Sequence, residues 1–452
     1  MKKNFYSFLE SIFDKKDIEI EKGNKYFYSK DWSNLKPSEP VAVVFPRENK
    51  QLKEVVKLCN EQNQPFIGSG GRTGLSGGAT CLNNELVISF EKMNKIIDFD
   101  HSDNTILCEP GLVTENLQNF ADENELFYPV NFSSVGSSQI GGNISTNAGG
   151  IKVIKYGLTK NYVKGLSVIT GDGKDLDFDN RLVKDATGPK LGDLFIGSEG
   201  IFGLIKTCRM KLIKKPPLTK LAFISFSKLE KLKEVRNLLF ESEDIEAVEF
   251  LTKTCMQKVN DAFKHFSQPE VKGHYFIILE FTGNSIERDL NKLILKKIVD
   301  DVLIVETSNQ KKNIWNNRLL ISESINDFKP LKFDVSVPLS KFEDLVQKIE
   351  RLVKKFPKVE PILFGHVGDG NLHINLIGKD DLEIDSNQKD ILTTEIYKII
   401  LDLKGSISAE HGIGYLKKKI FLDQAKKEEL RFLKVTKKFY DPLNVLNPGK
   451  LI

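Results

Sequence analysis

Glycine is spread so unevenly along this chain that it partitions the sequence before any other property does. Only Gly23 precedes Gly68, six glycines fall between Gly68 and Gly78, and further clusters run to Gly203. From Leu204 to Phe364 only Gly273 and Gly283 occur, and eight more follow from Gly365 to Gly449. Glycine permits positive φ and lets a ligand approach the main chain closely. The pattern predicts a ligand-cradling first part, a conventionally packed middle and a ligand-facing return near the end.

Hydrophobic periodicity gives the same division. Residues 41–45, 65–67, 86–90, 105–108 and 166–170 read as strands, and 51–62 and 113–123 as helices. A last strand at 204–213 is stopped by Pro216 and Pro217, a domain boundary. Beyond it, strand-like stretches (221–226, 275–281, 302–305, 333–337) alternate with helical ones (231–240, 287–299, 342–356). That order suits an antiparallel sheet with helices on one face. No repeat with a period of about 20–50 residues is present.

Composition narrows the class. At 452 residues the chain has room for about three domains. With 66 basic and 62 acidic residues its net charge is +4, and the lysines are dispersed, so nucleic acid is not an expected partner. The five cysteines, Cys59, Cys81, Cys108, Cys208 and Cys255, form no Cys-x-x-Cys pair, which excludes a zinc ribbon and favours a reducing compartment. No apolar run approaches the roughly 18 residues needed to cross a bilayer. Two lysines open the N-terminal segment, but Glu10 and Asp14 interrupt its apolar stretch and no cleavage site follows. It reads as an amphipathic helix with Phe5, Phe8, Leu9, Ile12 and Phe13 on one stripe, surface anchoring being the alternative. The expected location is the cytoplasm, with a peripheral place at the inner membrane face as the variant.

Three glycine-rich segments carry the first part. The run Gly68-Ser-Gly-Gly-Arg-Thr-Gly-Leu-Ser-Gly-Gly78 follows a strand, yet lacks the lysine of a Walker A loop and has Thr73 where Gly-x-Gly-x-x-Gly needs glycine. Its free N–H groups, with the hydroxyls of Ser69, Thr73 and Ser76, form a nest suited to a diphosphate. In the second segment, Val135 to Gly150 with Tyr156 and Gly157 just after, small residues bring backbone against something flat and polar. The third runs from Phe195 to Gly203.

The end of the chain carries a different chemistry. In Gly365-His-Val-Gly-Asp-Gly-Asn-Leu-His373 two histidines stand seven apart, which on a straight strand puts them roughly 23 Å apart on opposite faces. A tight glycine turn would bring His366 and His373 together, and Glu410 could complete a two-His, one-carboxylate metal set with open positions. The competing reading makes Asp369 and Asn371 simple turn formers. His101, His265 and His274 read as ordinary satisfied or surface residues.

Taken in order, the segments Gly70 to Ala79, Gly141 to Gly150, Gly197 to Gly200, His366 to His373, Glu410 to Gly414 and Asn447-Pro-Gly-Lys450 resemble the FAD-linked D-2-hydroxyacid dehydrogenases. That group includes D-lactate dehydrogenase, the glycolate oxidase catalytic subunit and D-2-hydroxyglutarate dehydrogenase. The resemblance implies an α+β chain: a two-subdomain FAD-binding domain of vanillyl-alcohol oxidase (PCMH) type, an antiparallel-sheet cap domain with helices on one face, and a returning C-terminal segment. The corresponding spans are 1–36 for an N-terminal helical segment, 37–216 for the FAD domain, 217–408 for the cap and 409–452 for the return.

It further implies that FAD is held by Ser69, Gly70, Gly71, Arg72, Thr73, Gly74, Leu75, Gly78 and Ala79 of the first loop. Pro129, Gly136, Ser137, Gly141, Gly142, Asn143, Thr146, Asn147, Gly149, Gly150, Tyr156 and Gly157 would contribute from the second. Glu199, Gly200, Ile205 and Asn447 complete the set. The first loop holds no histidine or cysteine, so the FAD should be noncovalent. Arg72, where the family commonly has a small residue, adds a cation that would be welcome at a diphosphate.

For a 2-hydroxyacid the chemistry is coherent. A metal on His366, His373 and Glu410 would chelate the substrate's carboxylate and hydroxyl, and zinc, manganese and iron all suit such ligands. His411 is then the candidate base for the hydroxyl proton. By position in the family, Arg318, Ser322 and Lys332 would hold the substrate's acid groups, with Asn375 on the same strand face as His373. Electrons would pass to an electron-transfer flavoprotein or a quinone, and a homodimer is one assembly allowed. Two other readings compete: a flavin oxidase using O₂ directly, and a metal-dependent hydrolase.

Overall fold

The computed structural model describes residues 2–240, 242–264, 269, 271–380 and 382–452. The expectation for His265 falls outside these. The chain forms two compact units: Met1–Ala148, Leu158–Lys215 and His411–Ile452 make the first, Gly149–Gly157 and Pro216–Glu410 the second. The second thus takes nine residues out of the glycine-rich segment that the sequence places wholly in the FAD domain.

The first unit contains two main sheets. One has the order Ile18–Glu19, Val43–Val44, Leu86–Ser89, Phe66–Ser69, parallel except at the first strand. Leu86–Ser89 is buried at every position, as befits a parallel strand covered on both faces. The helix Asn49–Glu61 packs Leu52, Val55, Val56 and Cys59 onto this sheet's core. The other sheet is antiparallel, in the order Ile96–Asp100, Thr105–Cys108, Gly203–Lys211, Val163–Thr170, Asp175–Asp177.

The N-terminal helix Lys2–Ile12 buries Phe5 and Leu9, with Phe13 just beyond, in the first unit's core. Phe8 departs from the expected stripe and is 41% exposed, because one residue's offset from Leu9 turns it about 100° away. No described helix is long and apolar enough to cross a membrane.

The second unit is built on a seven-stranded antiparallel sheet in the order Asp301–Val305, Lys220–Phe226, Tyr275–Phe281, Ile245–Thr252, Val359–Gly365, Asn371–Gly378, Leu331–Ser336. Helices Lys231–Leu239, Ser285–Leu295, Phe342–Val353 and Ser386–Asp402 cover one face with the larger apolar cluster. Lys253–Ala262, Ser308–Leu319 and Ile321–Ser324 make a smaller layer on the other, a layer the sequence pattern did not separate. Strand residues divide between the layers by alternation: Ala222 and Ile224 join the first cluster, Leu221 and Phe223 the second. The central strand Ile245–Thr252 escaped the sequence reading because Glu246 and Glu249 interrupt its apolar run.

Candidate active site

In the second unit the hairpin Val359–Gly365 / Asn371–Gly378 decides the geometry. Phe364 pairs with His373, and His366 follows immediately after the first strand. The turn needs its glycines. Gly370 takes φ 82°, and a Cβ on Gly365 would lie 2.4 Å from the Asn371 carbonyl oxygen. Asp369 accepts the Asn371 N–H at 3.1 Å, so the turn-former reading also holds. The outcome is that the Nε2 atoms of His366 and His373 lie 3.4 Å apart.

Glu410 completes the cluster, with Oε1 3.3 Å from His366 Nε2. Ligand atoms of His366, His373 and Glu410 all lie within 4.8 Å of one another. Behind each imidazole stands a fully buried carboxylate: Glu249 hydrogen-bonds His366 Nδ1, and Asp334 Oδ1 lies 3.5 Å from His373 Nδ1. Asp334 also fixes the backbone of Glu410, accepting its N–H at 2.8 Å, and takes a hydrogen bond from Asn371 Nδ2 at 2.8 Å. Each histidine is therefore held from outside with its Nε2 turned inward, the arrangement of a metal-ligating imidazole.

Electrostatics sharpen this picture. Burial alone would depress the His366 pKa, but the carboxylates of Glu249 and Glu410 override it and raise it well above the ordinary value. His373 is pushed down to about 3, chiefly by desolvation. Glu410 is drawn down to about 2: burial opposes the shift, and the adjacent His366 charge outweighs it. An anionic carboxylate beside two inward imidazoles is a donor set for a borderline divalent cation.

The candidate substrate residues distribute around the same sheet. Lys332 pairs directly across from Asn375, and Asp334 across from His373, so alternation puts all four on one face. Arg318 is buried, with its Nε bonded to Glu249 and its guanidinium 4.5 Å above the Phe364 ring, not on a solvated helix face. Ser322, in Ile321–Ser324, is exposed. Glu249 and Asp334 were missed as site residues. A glutamate inside the run from Ala247 to Leu251 was the available signal, since a charge buried there demands a partner.

In the first unit the loop after Phe66–Ser69 lies against the second glycine segment. A Cβ on Gly71 would lie 2.0 Å from the Ser137 carbonyl oxygen, and one on Gly70 3.4 Å from Gln139 Oε1. Arg72 has partners of its own: its Nη1 meets Glu91 at 2.9 Å, and its guanidinium sits 4.6 Å from both the Phe27 and Tyr28 rings. Its charge is engaged there.

Glu199 and Asn447 do structural work. Glu199 accepts the N–H groups of Ile413 and Gly414, both at 2.7 Å, and burial raises its pKa against those bonds. Asn447 Nδ2 donates to the Glu199 carbonyl at 2.9 Å. These bonds hold the segment that starts at His411 within the first unit. Tyr156, grouped with the second unit, donates its hydroxyl to the buried Glu246 at 2.7 Å.

Comparison with known proteins gives the family. Residues 40–179 match an FAD binding domain, and residues 215–451 match the C-terminal domain of FAD linked oxidases. The chain belongs to the FAD-linked oxidases, in their D-2-hydroxyacid dehydrogenase branch. It is 36% identical to D-2-hydroxyglutarate dehydrogenase of Stutzerimonas stutzeri (strain A1501), over 94% of this chain and 93% of that one. Against mitochondrial D-2-hydroxyglutarate dehydrogenase of Danio rerio the identity is 32%, over 93% of this chain and 80% of the other. The solved p-cresol methylhydroxylase shares its fold, with a TM-score of 0.79 at 16% identity, covering 99% of this chain and 96% of that one.

This FAD-linked oxidase therefore has the α+β architecture of the vanillyl-alcohol oxidase type and acts as an FAD-dependent oxidoreductase. The first unit's own features fit the cofactor. Ser69 Oγ and Gln139 Oε1 are buried polar atoms with no hydrogen-bond partner among the described residues, and both border the Gly70–Gly71 backbone. Around Gly142 and Gly200 a Cβ would meet nothing within 4 Å. Unpaired polar atoms beside open, glycine-lined space are what a flavin nucleotide needs. The metal-hydrolase alternative leaves both glycine segments without a role and has no support from the family.

Proposed function

We propose that this FAD-linked oxidase is a metal-assisted dehydrogenase of D-2-hydroxyacids, with D-2-hydroxyglutarate the foremost substrate. The observation carrying this reading is the convergence of His366, His373 and Glu410 in a chain whose relatives bear that dehydrogenase's name. Those three residues would hold a divalent cation, zinc, manganese or iron. It would supply a chelating centre for the substrate's carboxylate and hydroxyl and acidify the latter, as metals lower bound water from a pKa of about 15.7 to about 7.

The chain's own groups do the rest. Arg318, Lys332, Ser322 and Asn375 orient the substrate's acid groups, the guanidinium suiting a carboxylate bidentately. His411 accepts the hydroxyl proton. Bound FAD supplies the two-electron acceptor for the hydride leaving Cα, so the product is the 2-oxoacid. Oxidising equivalents return through an electron-transfer flavoprotein or a quinone rather than O₂.

A panel of D- and L-2-hydroxyacids with an artificial dye acceptor, run before and after metal stripping, tests this. Turnover should favour D isomers, vanish on stripping while the flavin absorbance stays, and return with added Zn²⁺ or Mn²⁺. A preference for L isomers, or indifference to stripping, would defeat it. Parallel assays with O₂ as sole acceptor separate dehydrogenase from oxidase.

A further inference from the structure

Glu249 is one carboxylate with two clients. It is wholly buried on the central strand Ile245–Thr252, paired on one side with Tyr275–Phe281 and on the other with Val359–Gly365. Its Oε1 hydrogen-bonds Nδ1 of His366, 117 residues away in sequence. Its Oε2 accepts from Nε of Arg318, 69 residues away. Under the reading above, on which this inference rests, His366 belongs to the cation site and Arg318 to the substrate-carboxylate site.

We infer that Glu249 is a positioning residue that sets both sites at once, holding His366 as a cation ligand and Arg318 as a carboxylate receptor. At His366, once the ring is neutral as a metal ligand must be, a carboxylate on Nδ1 selects the tautomer with its proton there and leaves the Nε2 lone pair facing His373 and Glu410. Partners of this kind typically contribute 10–100-fold to metal affinity. At Arg318 the bond through Nε fixes the plane of the guanidinium, and among the described residues no hydrogen bond occupies Nη1 or Nη2. That edge is the one that clasps a carboxylate bidentately. The pairing is obligatory, because a buried carboxylate without its cation is strongly destabilising. A disturbance at Glu249 therefore reaches the cation and the substrate together.

Glu249→Gln separates this from a packing role. An amide keeps the volume but offers only one accepting end. The charged Arg318 takes that oxygen, which leaves an N–H₂ group against His366 Nδ1 and drives the ring proton to Nε2, where it blocks a metal. The metal-stripped flavoprotein should then bind Zn²⁺ about 10–100-fold more weakly than the parent. Its KM for D-2-hydroxyglutarate should rise as well. ¹⁵N ring shifts of His366 in the metal-free state, taken above the pH at which the ring gives up its second proton, should change from the Nδ1–H to the Nε2–H pattern, which a packing defect would not produce.

Unchanged Zn²⁺ affinity and an unchanged tautomer in a folded, yellow variant would overturn the inference. If Glu249→Gln does not fold, the double variant Glu249→Leu/Arg318→Met, which removes both buried charges and leaves His366 Nδ1 without an acceptor, should fold and still bind Zn²⁺ weakly; parental affinity in it would overturn the inference equally. A parent protein that takes up no Zn²⁺ defeats the metal reading and this inference with it. Equal uptake by parent and variant defeats the shared-carboxylate role alone.

Discussion

His366 and His373 face each other Nε2 to Nε2 at 3.4 Å, each backed at Nδ1 by a buried carboxylate. Two neutral imidazoles held acceptor to acceptor cannot hydrogen-bond to each other, and in the absence of a metal the raised His366 pKa keeps a proton between them. Such a contact is satisfied by a proton or a cation between the rings, and the Glu410 carboxylate beside it supplies the charge that a cation prefers.

Removing one ring should therefore abolish the cation site while leaving the flavin in place. For His373→Ala, Zn²⁺ affinity measured by chelator competition should fall by more than the 10–100-fold typical of an outer-shell partner. The absorbance of bound FAD should match the parent. Parallel loss of flavin and Zn²⁺ would mean that His373 serves folding rather than metal.

His411→Ala removes the proposed base. Turnover of D-2-hydroxyglutarate should drop by about 10²–10⁴. The KM for substrate and the flavin content should change far less. Equal losses in rate and flavin retention would remove His411 from the chemistry.

Gly71→Ala places a methyl group 2.0 Å from the Ser137 carbonyl oxygen, a backbone atom that cannot swing aside. Forced repacking of this sort costs about 1–3 kcal/mol. The expected product is a destabilised protein that purifies with little FAD and regains little on addition of the cofactor. Normal flavin content would show that the two glycine segments move apart freely.

Acid stability should report on Asp17, which is buried and bonded to Arg47 Nε at 2.8 Å and Lys92 Nζ at 2.6 Å. Burial alone would raise its pKa, but these two cations hold it below the ordinary value. A lowered folded-state pKa adds stability that is present above the unfolded value of about 3.9 and is lost as pH falls through the folded one. Asp17→Asn should destabilise the protein at pH 7 in urea, with the gap to the parent closing as pH falls below about 3.9. A gap that is constant with pH would assign the loss to packing instead.

The legible part of this protein was the part written locally. Glycine runs announce backbone that tolerates no Cβ, as Gly71 and Gly365 demonstrate, and the spacing of His366 and His373 across Gly368 and Gly370 announces a turn. In the second unit the strands Lys220–Phe226, Tyr275–Phe281, Asp301–Val305 and Leu331–Ser336 and the helices Lys231–Leu239, Ser285–Leu295 and Phe342–Val353 followed from periodicity, because strands covered on both faces are largely apolar.

What the chain's order could not reveal was which distant side chains would meet. Glu249 reads in sequence as a flaw in an apolar run, and Arg72 as a spare cation near a phosphate site. Only strand pairing brings Glu249 to His366 and Arg318, and only packing brings Arg72 against Phe27, Tyr28 and Glu91. Backbone conformation is governed by a residue and its immediate neighbours, and so it can be read along the chain. Neutralising a buried charge depends on whatever the fold carries to within about 4 Å. Partners 69 and 117 residues away are chosen by tertiary structure alone.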